Sequence, residues 1–343
     1  MLYVPVVSKT GKPLMPCHPA RARQLVKKGQ AIRRFNRGLF FIKLLGRMDG
    51  DTQDIAIGID PGSKKEGLTV KSGRHTYLNI QADVVNWVKE HVKTRRQMRR
   101  GRRFRKTPCR QNRKNSAKGG IPPSTKARWQ WKLRLCWWLT KLYPVSIFSI
   151  EDIKARTKGQ HHWDRSFSPL EVGKTWFYTE LEKLARVLIV QGWATKQLRD
   201  GLGLKKTRCK ISEVFDAHCV DSWVLANHAV GGHIRPDLTR MLCVTPLRFQ
   251  RRQLHRLQPG KGGIRKLYGG TNSLGFKRGS LVKHVKLGMC YVGGFLKNHI
   301  SLHSLQTGKR LTQRAKPSDC IFLAYNSWRT RLLPYLNAGV SIT

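Results

Sequence analysis

The chain has 343 residues, 40% of them hydrophobic, with 67 Lys and Arg against 19 Asp and Glu, a net charge of +48. That length and apolar content suit about two or three folded domains, and the cation excess calls for a polyanionic partner, nucleic acid before a membrane surface. No run approaches the roughly 18–20 apolar residues of a spanning helix, no signal-peptide pattern opens the chain, and eight scattered cysteines lack any Cys-x-x-Cys pair, which fits a reduced, cytoplasmic protein without structural zinc.

Tyr3–Val7 reads as a short strand, Pro13–Pro16 as a rigid turn, and His18–Gly29 as a helix stopped by Gly29. Ala31–Phe35 and Leu39–Leu45 read as strands, and 46–53 as a polar linker. In Ile55–Ser63, Ile55, Ile57 and Ile59 alternate with small residues and the run ends on Asp60 before Pro61-Gly62. This is a buried strand with a carboxylate at its end, or an ordinary Asp-Pro-Gly turn. Gly67–Lys71 and His75–Ile80 complete an antiparallel meander.

Lys93–Lys114 holds 12 Lys or Arg in 22 residues and no acid. It continues a helical pattern from Val84 to about Lys106, and Pro108 should end it. A solvated charged face would carry both signs, so Arg95, Arg96, Arg99, Arg100, Arg102, Arg103, Arg105 and Lys106 are candidate phosphate contacts. After a Gly/Pro-rich linker at 116–124, Thr125–Tyr143 is helical, with Trp131, Leu135, Trp138, Leu139 and Leu142 on a core face.

Val145–Ile150 is a second buried strand, and it ends on Glu151 and Asp152. His161-His162 with Asp164 reads as a loop, because adjacent side chains point apart. Phe177, Leu181, Leu184 and Leu188 mark a helix ending near Gly192. Leu202–Lys210 reads as a basic loop. Ile211–Val230 is a helix with His218 and Asp221 on one face. From 235 onward the chain is a third region. Arg248, Arg251, Arg252, Arg256, Arg265 and Lys266 crowd a Gly-rich stretch suited to a phosphate backbone, and short apolar runs from Gly279 suggest a small β-barrel-like module.

Asp60, Glu151, His218 and Asp221 form the candidate catalytic set. Meander, helix, strand and helices in this order fit a ribonuclease-H-like α/β fold whose first and fourth strands are neighbours. Three converging carboxylates repel unless divalent cations neutralise them. Such clusters hold two ions, ~3.5–4 Å apart, in phosphodiester hydrolysis. Asp60, Glu151 and Asp221 are therefore the candidate metal ligands, and His218 a proton shuttle or water-orienting group.

These residues resemble a known family. Gly58–Ser63 resembles the first RuvC motif, Ile150–Asp152 the second and His218–Ser222 the third. Pro13-Leu14-Met15-Pro16 resembles the signature of the PLMP domain of transposon-encoded IscB and IsrB proteins, and the Arg-rich helix their bridge helix. Gln253–Arg256, Gly262–Lys266 and Tyr268–Gly270 are similar to their C-terminal region. Only 66 residues separate Glu151 from His218, too few for the HNH nuclease that IscB inserts there. The chain is thus identified as a member of the HNH-lacking IsrB family.

The resemblance implies a PLMP domain at 1–53, RuvC segments at 54–83, 116–200 and 201–234, a bridge helix at 84–115, and an RNA-scaffold and target-adjacent-motif region at 235–343. It also implies an RNA-guided DNA nickase. A guide RNA (ωRNA) pairs with one strand of double-stranded DNA beside a short flanking motif, and Mg²⁺ (two ions, with Mn²⁺ able to substitute) supports cutting of the other. The protein would be a monomer in a ribonucleoprotein. Alternatives are a guide-independent RuvC-like nuclease and a non-catalytic nucleic-acid-binding protein.

Overall fold

The computed structural model describes residues 3–106, 120–152, 171–209, 211–232, 235–247, 257–258, 263–264 and 272–333. The chain divides into two compact units, one built chiefly on 51–241, the other joining 16–50 to the region from 242 on. No helix among the described residues is long and apolar enough to cross a membrane.

The N-terminal segment contains β1 (Val4–Val7), β2 (Pro13–Cys17), α1 (Pro19–Lys27), β3 (Ala31–Asn36) and β4 (Leu39–Leu44). Helix α1 starts with Pro19 at its first turn and with the His18 ring accepting a hydrogen bond from the Ala20 amide at 3.2 Å. Gly29 follows it at φ +69. Strands β3 and β4 form a hairpin across Arg37 and Gly38, both at positive φ, the backbone that two-residue hairpin turns require. The expected turn at Pro13–Pro16 is instead β2. Proline's fixed φ suits extended backbone, and Leu14 and Pro16 alternate inward.

The unit around 51–241 contains β5 (Ile55–Asp60), β6 (Lys65–Ser72), β7 (Thr76–Asp83), α2 (Trp87–Phe104), α3 (Pro123–Thr140), β8 (Ile147–Asp152), α4 (Lys174–Glu182), β9 (Arg186–Gln191), α5 (Gly192–Gly201) and α6 (Phe215–Val230). Five strands lie in the order β7-β6-β5-β8-β9. The meander β5-β6-β7 is antiparallel, whereas β8 runs parallel to β5 and β9 parallel to β8. Ile59 lies opposite Ile150, so the next residues, Asp60 and Glu151, stand side by side where the pairing of β5 with β8 ends.

The expected helix from Phe177 to about Gly192 ends at Glu182. Arg186–Gln191 is a strand, and a further helix, α5, occupies 192–201. Leu184 and Leu188 fit a helical spacing, but β-branched Val187, Ile189 and Val190 favour pairing with β8. Helix α6 starts at Phe215 rather than Ile211. The core tryptophans stand as expected, Trp131 and Trp138 buried, with Trp129 stacked 4.9 Å from Phe177.

Helix α6 is buried along 217–227, and glycines in the strands beneath let it sit so low. A Cβ at Gly58 would strike the Ser222 carbonyl oxygen and the Ala226 amide nitrogen, and one at Gly67 would strike the His218 carbonyl. Polar contacts set its register. Ser222 Oγ lies 2.8 Å from Thr69 Oγ1, and the Trp223 indole donates to Thr76 Oγ1 at 2.9 Å. Beside them, Glu66 on β6 and Lys132 on α3 form a fully buried ion pair at 2.7 Å. Burial pushes the Glu66 carboxyl above its ordinary pKa, against the pull of Lys132.

The second unit adds β10 (Met241–Pro246), β11 (Leu281–His284), β12 (Gly288–Leu296), β13 (His299–Ser304), β14 (Arg310–Ala315), β15 (Cys320–Ala324) and β16 (Trp328–Leu332). Strands β11 to β15 form a five-stranded antiparallel sheet in the order β14-β13-β12-β11-β15 around Val282, Val292, Ile300 and Leu302. The sheet is open, not the expected barrel, since β14 and β15 end it unpaired with each other. Strand β16 pairs antiparallel with β10. The N-terminal hairpin is tied to this region: Asn326 donates to the Arg37 carbonyl at 3.0 Å, and the Arg37 guanidinium lies 4.7 Å over the Trp328 ring.

Removing one member of a buried ion pair strands the other charge, at a cost of about 3–5 kcal/mol. Lys132→Met should lower the unfolding free energy by that amount in urea titrations, and adding Glu66→Leu should restore most of it. A Lys132→Met protein as stable as the parent would show that the pair contributes nothing.

Candidate functional site

Asp60 and Glu151 sit at the C-terminal ends of neighbouring parallel strands, and His218 and Asp221 face them from α6. All four are buried. One carboxylate oxygen from each of Asp60, Glu151 and Asp221 lies within 4.8 Å of the others. His218 Nδ1 is 2.8 Å from Asp60 Oδ2. The structure thus brings together all four candidate catalytic residues from three distant parts of the chain.

Two cations that sequence reasoning missed complete the cluster. Lys206, on the loop after α5, contacts Asp221 Oδ2 closely and stands 3.6 Å from Asp60 Oδ2. Arg199, on α5, donates to Asp221 Oδ1 at 2.7 Å. A signal existed only in composition, as a basic loop between two motifs. At +48 net charge a further lysine does not stand out.

The environment splits the acids. Burial raises the pKa of Asp60, but the His218 hydrogen bond and the Lys206 charge outweigh it and hold the carboxyl below its ordinary range. Glu151 is pushed up to about 8, first by burial and then by the Asp60 charge beside it. Burial opposes the charge on Lys206, yet Asp60 and Asp221 raise its pKa.

Asp152 serves elsewhere. It accepts from Lys174 Nζ at 2.8 Å, Tyr178 Oη at 3.0 Å and Gln191 Nε2 at 3.2 Å. Strand alternation turns it away from Glu151, and its contacts tie β8 to α4 and β9. Against the effect of burial, those hydrogen bonds hold its pKa down.

The ligand set of Asp60, Glu151 and Asp221 is all oxygen, which suits a hard divalent cation such as Mg²⁺ or Mn²⁺. The Lys206 ammonium, set between two of the three carboxylates, marks the same place as one that attracts positive charge.

Helix α2 presents the candidate phosphate contacts. Arg95, Arg96, Arg99, Arg100, Arg103, Arg105 and Lys106 are exposed, and Arg102 lies on the same helix. Residues 99–103 read Arg-Arg-Gly-Arg-Arg. Residues 4–163 match the family model described as RRXRR protein. That family is associated with IscB- and IsrB-like proteins. The match runs from β1 across the Asp60 strand, α2 and the Glu151 strand. No curated protein matches the chain. Arg248, Arg251, Arg252, Arg256, Arg265 and Lys266 lie outside the described residues, as do His161, His162 and Asp164.

The raised Glu151 pKa has a sign. Between about pH 4.5, the ordinary value, and about 8, the folded chain holds a proton that the unfolded chain releases. Stability from this group is complete at low pH and falls as pH rises to about 8. Metal-free Glu151→Gln should therefore melt with the parent near pH 5 and above it at pH 9, by calorimetry. Melting curves that keep a constant offset across that range would contradict the assignment.

Proposed function

We propose that this protein is a guide-RNA-directed DNA nickase. The observation that carries the reading is the convergence of Asp60, Glu151 and Asp221, with ligand atoms within 4.8 Å of one another, at the ends of two parallel core strands. The strand order β7-β6-β5-β8-β9, with an antiparallel meander joined to two parallel strands, supports a ribonuclease-H-like reading of the core. The RRXRR match supports placing it near IscB-like nucleases.

In this reading Asp60, Glu151 and Asp221 hold two Mg²⁺ ions. When bound, those ions activate water and stabilise the leaving oxygen of a phosphodiester. The protein's own groups do the rest. His218, held by Asp60, orients the attacking water or relays its proton. The walls of β5, β8 and α6 keep the carboxylates rigid and largely dry. The exposed arginines of α2 hold guide RNA and heteroduplex backbone, and the region from 235 on takes the RNA scaffold and the flanking motif. Pairing with the guide selects the DNA target, and this site cuts the displaced strand.

The test is cleavage by the purified chain with its co-purifying RNA, on duplex DNA labelled separately on each strand. Cutting confined to the non-target strand is expected, with Asp60→Ala abolishing it while target binding persists. Cleavage by RNA-free protein in Mg²⁺ would favour a guide-independent nuclease, and no cleavage under any condition a binding protein. A double-strand break would require a second nuclease site.

A further inference from the structure

The cations at the carboxylate cluster differ in how they are held. Arg199 is fixed on α5, where it pairs with Asp221 of the cluster and lies 3.7 Å from Asp200 outside it. Lys206 rides on a loop and bridges Asp60 and Asp221, so its ammonium fills the space where those two carboxylates would share a divalent ion. Its loop is pinned on both sides, by the Leu204 amide to the Arg199 carbonyl at 3.1 Å and the Thr207 amide to the Asp216 carbonyl at 2.9 Å. Between those pins the flexible four-carbon side chain of Lys206 is the part freest to move. A quarter of that side chain is exposed, which leaves it a path outward.

An ammonium and a divalent cation cannot occupy the same pair of oxygens. We propose that Lys206 is an internal counterion of the carboxylate site, which a divalent cation must displace. The proposal rests on the divalent-metal reading of the cluster. Without metal, Lys206 neutralises Asp60 and Asp221 and keeps the buried acids together. With metal, its side chain swings toward solvent, so the protein's affinity for the ion is lowered by competition with its own lysine.

The experiment titrates Mn²⁺ into the full-length chain, stripped of nucleic acid, by calorimetry, using the parent, Lys206→Met, Lys206→Arg and Asp60→Asn. Lys206→Met should bind Mn²⁺ at least about fivefold tighter, the lower end of ordinary coupling between two binding events. Its metal-free form should melt below the parent, and Mn²⁺ should raise its Tm by more. Lys206→Arg should return affinity toward the parent's. A second measurement on unmutated protein guards against a variant that fails to fold: acetylation of Lys206, read by mass spectrometry, should rise on adding Mn²⁺, and should not rise in Asp60→Asn. Equal or weaker Mn²⁺ binding by Lys206→Met, or unchanged acetylation of Lys206 in metal-saturated parent, would overturn the proposal while leaving the metal site standing. Mn²⁺ binding that ignores Asp60→Asn would overturn both.

Discussion

Three carboxylates cannot share a dry pocket without positive charge among them. That constraint organises this protein. Coulomb repulsion between such groups is weak in water and large where solvent is scarce, and Asp60, Glu151 and Asp221 are all buried. Their neighbours are arranged accordingly. Lys206 bridges two of them, Arg199 holds one, and the third, Glu151, retains its proton up to about pH 8. The cluster is thus balanced by cations of the chain itself and by one retained proton.

Backbone packing makes the cluster possible. Helix α6 must lie close enough for His218 and Asp221 to reach a carboxylate at a strand end. Bare backbone at Gly58 and Gly67 permits that approach. The parallel pairing of β5 with β8 then sets Asp60 beside Glu151. Further out, Asp152 ties the same strand to α4 and β9, and the Glu66–Lys132 pair joins the meander to α3. The geometry of the cluster is thus an outcome of sheet register and the close approach of α6, with α5 and the loop after it supplying the cations.

Much of this was legible in the chain itself. An apolar alternation that ends on an acid marks Asp60, and the same pattern marks Glu151, because a strand end is where a charge can remain at a core's rim. The spacing of His218 and Asp221 put them on one helix face. Other features gave no local signal. Strand β9 hid in a run whose leucines also fit a helix, and the prolines of β2 read as a turn although they suit extended backbone. Glu66 and Lys132 carry no mark of their pairing in the sequence, since a buried pair shows itself only when two distant segments meet. Lys206 was one cation among 67 Lys and Arg. The tie between the N-terminal hairpin and Trp328 lies 291 residues apart in the chain, from Arg37 to Trp328, beyond any local pattern.

The central claim is that these carboxylates form a divalent-cation site. Crystals of the full chain grown with Mn²⁺, measured near the manganese absorption edge, test it most directly. Anomalous peaks within coordination distance of Asp60, Glu151 and Asp221, with Lys206 withdrawn from between them, are the predicted result. Saturating Mn²⁺ with no peak at these residues, and Lys206 still bridging Asp60 and Asp221, would contradict it.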